Sequence, residues 1–400
     1  MNSQRTVPIR WQVVALTLCQ TVMSTGYRMV YPFLPAIARG LGVDLRAMSL
    51  AVSARSSLGL FGPLFGSLAD TWSRKKALLV SFAVLAAAMA LVVAWPVYPA
   101  LVIALLLSAT AWIVMQAGLK AYLGDTIQYT QRGVVVAITE FGWSWAFLFG
   151  VPVIGWLIAR SGWVAPFRLL AVLSAVAFAT VWFVLPSSSG TAPASRPSMW
   201  AGLRALLRTR SAVGVMAFAF VAAGANELVN IVYGAWMEGA FGLQVVSLGL
   251  ATAVIGLAEL GGEVLVATIT DRLGKRLSSA LGLTLNALVC LGLSTFSRSL
   301  PLALVGLFLL YITFEFTVVS AISLMTEQVP EARATSMASY AASAAAGRAL
   351  GALAGPVLFT WGIAANGVAT AIADGLALLV VVLFVRDRAA RPTPTVPLAG

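Results

Sequence analysis

The chain has 400 residues, of which 60% are hydrophobic and only 10% charged, with a mean hydropathy of +0.93. Soluble domains carry about 25% charged residues, so this much apolar surface needs lipid as its solvent. The chain has no histidine, and its two cysteines, Cys19 and Cys290, lie inside apolar runs; a histidine-ligated metal and a catalytic histidine are excluded, and a structural disulfide is not expected.

A spanning helix needs roughly 20 apolar residues. Twelve segments meet that need, at 11–38, 47–69, 76–96, 99–124, 133–159, 165–186, 211–239, 245–270, 277–297, 301–325, 333–360 and 362–385. The first is too long for a signal-peptide core and reads as a retained span. After the sixth, Ser187 to Ser195 has the composition of a flexible linker. It leads into Met199 to Arg210, where Trp200, Leu203, Leu206 and Leu207 share one side and Arg204, Arg208 and Arg210 another. This stretch fits either a helix in the headgroup layer or an irregular basic linker. The expected architecture is an all-α membrane protein with twelve transmembrane helices in two pseudo-symmetric six-helix bundles. The first bundle covers 1–186, the linker 187–210, the second bundle 211–386 and a cytoplasmic tail 387–400.

An even number of spans puts both termini on one side, and the basic residues choose it. Arg74, Lys75, Lys76, Arg132, Arg196, Arg204, Arg208, Arg210, Arg272, Lys275, Arg276, Arg333 and Arg386 all fall on the side of the termini. Arg39, Arg46, Arg160, Arg168 and Arg298 fall opposite. The excess marks the terminal side as cytoplasmic and accounts for the net charge of +12 without nucleic acid. A multi-pass protein of a bacterial inner membrane is expected.

One short turn occurs twice. Gly66-Ser67-Leu68-Ala69-Asp70-Thr71-Trp72-Ser73-Arg74-Lys75-Lys76 joins the second and third spans, and Ala267-Thr268-Ile269-Thr270-Asp271-Arg272-Leu273-Gly274-Lys275-Arg276 joins the eighth and ninth. Asp70 and Asp271 stand 201 residues apart, and the same offset carries Arg132 onto Arg333. Loop chemistry repeated at half the chain length is the mark of a duplicated bundle. The pattern Gly-x-Leu-x-Asp-x-x-x-Arg-Lys resembles the signature loop of the major facilitator superfamily, with Ser73 where that family has glycine and Ala267 replacing the leading glycine of the second copy. The resemblance implies six plus six spans and a carrier that works by alternating access. It implies that Asp70 faces the start of span eleven near Arg333, and that spans one, four, seven and ten line a central cavity. Gly150-Val151-Pro152, with Gly142, Ala146 and Gly155, also resembles the glycine-proline motif of the family's drug and sugar antiporters, although Val151 intervenes. The arginine those antiporters often carry in span four is missing.

The loop residues form a candidate gate: Asp70, Arg74, Lys75 and Asp125 in the first half, and Asp271, Lys275 and Arg276 in the second. An Arg74–Asp125 ion pair is expected, in a cluster that holds the halves together on the cytoplasmic side. Charges inside spans cost at least ~2.5–3.5 kcal/mol each at the bilayer centre and rarely face lipid. Arg28 and Glu227 lie at similar depth in spans one and seven and are expected to pair across the cavity or to receive opposite ends of a substrate. Tyr27, Tyr31, Trp112, Asn226, Asn230, Trp236 and Tyr311 complete the candidate cavity. Proton coupling is assigned to Glu315, with Arg348 as its alternating partner, and then to Glu227, to Glu259 and Glu263 on one face of span eight, and to Glu140.

These residues point to a secondary transporter, monomeric and without cofactor, exporting a small amphipathic or aromatic compound against protons or another coupling ion. A symporter of an organic anion, bound by Arg28 and Arg55, is the alternative, and a lipid translocator or sensor on the same scaffold another. There is no phosphate-binding loop and no nucleophile with a partner base, so enzymatic activity is not expected. Asp70→Asn is expected to slow turnover in vesicles while membrane insertion stays normal; undiminished transport by the variant removes Asp70 from the gate.

Overall fold

The computed structural model describes residues 7–65, 72–186, 199–329 and 333–386. Asp70 lies outside them, as do the linker residues 187–198 and the tail; the side chain of Asp271 is also outside the description. The described chain is helical and has no strand. Nine of its helices are long and apolar enough to cross a membrane, and the helical runs of expected spans one, two and nine pack among them.

The first span is broken. Ile9–Arg28 and Val30–Leu41 meet at Met29, because Pro32 has no N–H for the Arg28 carbonyl and its ring crowds that turn. Span seven breaks at the equivalent place, between Arg210–Asn230 and Tyr233–Phe241. Both broken spans end on a left-handed glycine, Gly42 at φ 68° and Gly242 at φ 64°. Span two begins at Leu45–Ser57, where the Asp44 carboxylate accepts from the Ala47 amide at 2.8 Å. Span three is Arg74–Ala94, span four Tyr98–Thr126 and span six Ala165–Val184. Spans five and eight each contain a wide π-type turn, at Ala146–Gly150 and Val266–Thr270. The first lies just before Pro152, which cannot donate into the regular ladder. Span eight is otherwise Val245–Leu265, span nine Lys275–Leu291, span ten Leu300–Gln328, span eleven Arg333–Phe359 and span twelve Ile363–Phe384. The linker helix Met199–Arg208 packs on spans seven and eleven, with Leu206 buried and Arg204, Leu207 and Arg208 exposed.

The two halves meet mainly on the side away from the termini. There the outer segments of spans one and seven pack together, span two packs on span eleven, and span five packs on span eight. Glycine permits the approach. A methyl on Gly155 would stand 2.8 Å from the Val245 carbonyl, and one on Gly256 2.9 Å from that of Ser144. A methyl on Gly234 would overlap the Pro32 carbonyl, and Ser53 Oγ donates to the Ala349 carbonyl at 2.8 Å. The terminal segments Ile9–Arg28 and Arg210–Asn230 do not pack on one another as their outer segments do. Among the described residues the halves are therefore joined on the far side and diverge toward the termini.

Within the second half, Gly347 is the tightest helix contact of span eleven: any β-carbon there would overlap the Phe220 carbonyl of span seven. Gly347→Val is expected to lower the melting temperature sharply in detergent, by the ~1–3 kcal/mol or more of an overpacked contact. Gly375→Ala, where a methyl meets nothing within 4 Å, is expected to leave it unchanged.

Candidate functional site

The repeated turn holds the same contacts in both halves. Arg74 Nε donates to Asp125 Oδ2 at 3.0 Å, and Lys275 pairs with Glu327 at the matching place. Lys75 Nζ donates to the carbonyls of Trp182 and Leu185, each at 2.6 Å. Arg276 does the same for Val382 at 2.7 Å and Val381 at 3.3 Å. In each bundle the first base ties the third span of its half to the fourth, and the second base caps the carbonyl end of the sixth. The expected Arg74–Asp125 pair is present, but these contacts lie within one half. The other members of the expected gate, Asp70 and the side chains of Asp271 and Arg333, lie outside the described residues.

Between the halves, the break in span one aims Arg28 across the interface. Its Nη1 and Nη2 donate to Glu259 Oε2 and Oε1 of span eight at 2.7 and 2.5 Å. Nη1 also donates to the Trp143 carbonyl at 3.0 Å. The guanidinium lies 4.1 Å from the Trp143 ring centroid and 3.5 Å from that of Phe147. Both charged side chains are 5% exposed. This corrects the expected Arg28–Glu227 pairing. Glu227 has the right depth but the wrong direction, because the glycine contacts of spans five and eight bring Glu259, and not Glu227, to the arginine.

Glu227 is buried, with Oε2 accepting from Asn230 Nδ2 at 3.1 Å and Oε1 unpartnered. Tyr311 Oη donates to Asn230 Oδ1 at 2.6 Å, so spans seven and ten are joined there. Tyr31 and the charges of Arg348 and Arg55 are the other groups that act on Glu227. Asn226 is buried with Nδ2 unpartnered. Trp236 lies beyond the break in span seven, buried edge-on to Phe241 at 6.2 Å, on the far side where the halves meet.

The stem of Glu315 rests on Gly262, where an added methyl would stand 2.7 Å from its Cβ. The carboxyl is thereby placed beside Glu259 and Glu263, whose charges act on it together with Arg28 and Arg348. Glu315, Glu263 and Arg348 are all half-buried. The expected direct Glu315–Arg348 pair is not made: no ion pair joins them among the described residues. Glu140 lies nearer the terminal side, 3.7 Å from Lys120 and accepting from Gln20 at 3.4 Å. Tyr27 stacks on Trp112 at 5.4 Å, and Trp112 lies 5.1 Å from Trp143, so three half-buried rings form an aromatic wall next to Arg28. Trp143, Phe147 and the supporting Gly262 were not singled out from sequence; their signal was their spacing on spans five and eight relative to Arg28 and Glu315.

The chain belongs to the Major Facilitator Superfamily, whose model matches residues 16–226 and 215–397. It is 27% identical over 268 residues to a chloramphenicol resistance protein of Streptomyces lividans, covering 66% of this chain and 68% of that one. It is 21% identical to the MFS-type transporter YbcL of Bacillus subtilis over 72% of this chain and 73% of the relative. Among solved structures, an inward-facing, unoccupied bacterial homologue of the human lysosomal transporter Spinster superposes with a TM-score of 0.77 at 15% identity, over 96% of this chain and 99% of that one. The nucleoside transporter NupG superposes with a TM-score of 0.73 at 14% identity, over 93% and 98%. The protein is an integral, multi-pass secondary transporter of this family.

Removing one partner of a buried pair leaves the other charged and unpaired, at a cost of about 3–5 kcal/mol. Arg28→Ala and Glu259→Ala are each expected to destabilise the purified protein, with the double variant far less damaged than the sum. Arg28→Ala with Glu227→Ala is expected to be nearly additive. Chemical-denaturation midpoints for the two cycles check this.

Proposed function

We propose that this chain is a proton-coupled exporter of small amphipathic compounds, described here with its cavity open to the cytoplasm. The observation that carries the reading is the cross-half Arg28–Glu259 bond with the half-buried Glu315 set beside it on Gly262. The excess of Lys and Arg on the terminal side supports the orientation. The chloramphenicol resistance relative supports export. The cavity is built by the two halves of one chain, so a monomer suffices.

The bond explains why the empty carrier waits. Arg28 and Glu259 belong to opposite halves and lie where those halves meet. Opening the far side pulls them apart, and an unprotonated, unloaded site gives nothing in return. A proton taken by Glu315 removes one negative charge beside Glu259 and so ties the strength of that bond to the protonation of its neighbour. The groups facing Glu315 are Glu259 and Glu263 from span eight, Arg28 from span one, and Arg348 and Tyr340 from span eleven. The aromatic wall of Tyr27, Trp112 and Trp143 gives an apolar cargo a flat surface in the same cavity. Import of an organic anion is less well supported, since Arg28 is held by Glu259, and Arg55 by Tyr27 and Tyr31.

Glu315→Gln is expected to keep cargo binding, to lose the pH dependence of that binding and to abolish uphill transport while allowing exchange. Proteoliposomes under an imposed pH difference make the measurement. If the variant still concentrates cargo against its gradient, the coupling proton resides elsewhere.

A further inference from the structure

Arg55 of span two is the largest fully buried side chain among the described residues, 1% exposed, and neither the bond between Arg28 and Glu259 nor the proposed coupling uses it. A guanidinium in that position is costly unless all its donors are met. They are not. Nη1 donates to the Tyr27 carbonyl at 2.7 Å and Nη2 to Tyr31 Oη at 2.8 Å, while Nε has no partner. Its ring contacts are 4.2 Å to Tyr27 and 5.1 Å to Tyr31. In the other half Glu227, also 1% exposed, has Oε1 without a partner. Each charge acts on the other, yet no ion pair joins them, and the Tyr31 side chain lies beside both. A donor and an acceptor of opposite charge are thus buried and incomplete in the same region. Buried polar atoms left in that way call for an explanation.

The explanation lies in the internal repeat. Arg28 and Glu227 stand 199 residues apart, and Arg55 and Glu259 204, close to the 201 of the repeated turn. Spans one and eight carry the bond that is made; spans seven and two, their counterparts, carry the pair that is not. Glu227 lies two turns from Gly234, where the Pro32 backbone presses on span seven, and on the terminal side of that contact. From there toward the termini the halves diverge. Rocking that closes the terminal side carries this stretch of span seven toward the first half, which holds Arg55.

The geometry points to Arg55 and Glu227 as a second charge contact between the halves, slack in this conformation and closed directly when the terminal side shuts, with the Tyr31 hydroxyl as the spacer that keeps it slack. The two incomplete atoms satisfy each other in the opposite state, which lowers its free energy when the Arg28–Glu259 bond is given up. Arg55, Tyr31 and Glu227 act as positioning residues of the alternation. The inference rests on the alternation of the two open sides and not on the coupling ion, the cargo or the direction of transport.

Electron-spin distance measurement on the full chain in nanodiscs tests it, with labels at Gln131→Cys and Arg272→Cys on the terminal ends of spans five and eight and with Cys19 and Cys290 replaced by alanine. Both labelled positions are exposed. Glu227→Gln is expected to deplete the short-distance, terminal-side-closed population about tenfold. Tyr31→Phe removes the acceptor of Arg55 and is expected to enrich the same population. If the unmodified protein shows only the long distance, Tyr31→Phe must bring in the short one. Opposite shifts support the contact. Unchanged distributions, or equal losses in both variants, overturn it, and neither result depends on whether protons or cargo are moved.

Discussion

The bond between Arg28 and Glu259 sets the terms for the rest of the site. Its two charges sit at mid-depth in a chain whose solvent is lipid, where an unpaired ion would cost several kcal/mol. The bidentate geometry, the Trp143 carbonyl and the faces of Trp143 and Phe147 compensate that cost locally. Because the partners come from different halves, the compensation depends on how the halves sit, and not on how either half folds. A buried ion pair inside one bundle would contribute only to stability. Placed across the interface, the same interaction becomes a conformational term.

What makes that placement possible is backbone contact between helices. In lipid there is no hydrophobic drive between spans, so close approach relies on small residues. Gly155, Gly249 and Gly256 bring spans five and eight together closely enough to fix both height and rotation of span eight. The acids depend on glycines of neighbouring spans in the same way. The stem of Glu315 lies on Gly262, and a methyl on Gly351 would stand 2.8 Å from Glu227 Cβ. The position of each carboxylate is therefore encoded partly on another helix, in residues that carry no chemistry themselves.

This explains which parts of the site were legible in the sequence. The repeated turn was, down to the Arg74–Asp125 pair, because loop chemistry is local and its partners lie at span ends whose positions the hydropathy pattern marks. The spans were legible from apolar length alone, although the breaks near Met29 and Ile231 were not; only Pro32 signalled the first, and the second has no proline. The depth of Arg28, Glu227 and Glu259 could be counted along each run. Their directions could not, since rotation about a helix axis is set by packing against neighbours. Glu227 matched Arg28 in height, yet the glycine seam between spans five and eight brings Glu259 to the arginine instead. Glu315 was placed beside the acids of span eight rather than on Arg348 for the same kind of reason, through Gly262.

The repeat also shows why loop chemistry and membrane charge diverged between the halves. The turn solves one problem twice, anchoring basic residues on an acid and on carbonyl ends of the same bundle, so similar residues serve both copies. A contact between the halves is different, because equivalent positions face each other's surroundings. Identical charges at equivalent positions would put like signs on spans one and seven, and on spans two and eight, although the diagonals could still be complementary. Arg28 opposite in sign to Glu227, and Arg55 opposite to Glu259, gives complementary diagonals, span one with eight and span two with seven, and unlike signs on the equivalent spans as well. With both arginines in the first half and both carboxylates in the second, every contact this set can make between the halves joins unlike charges, whichever pair a given conformation brings together.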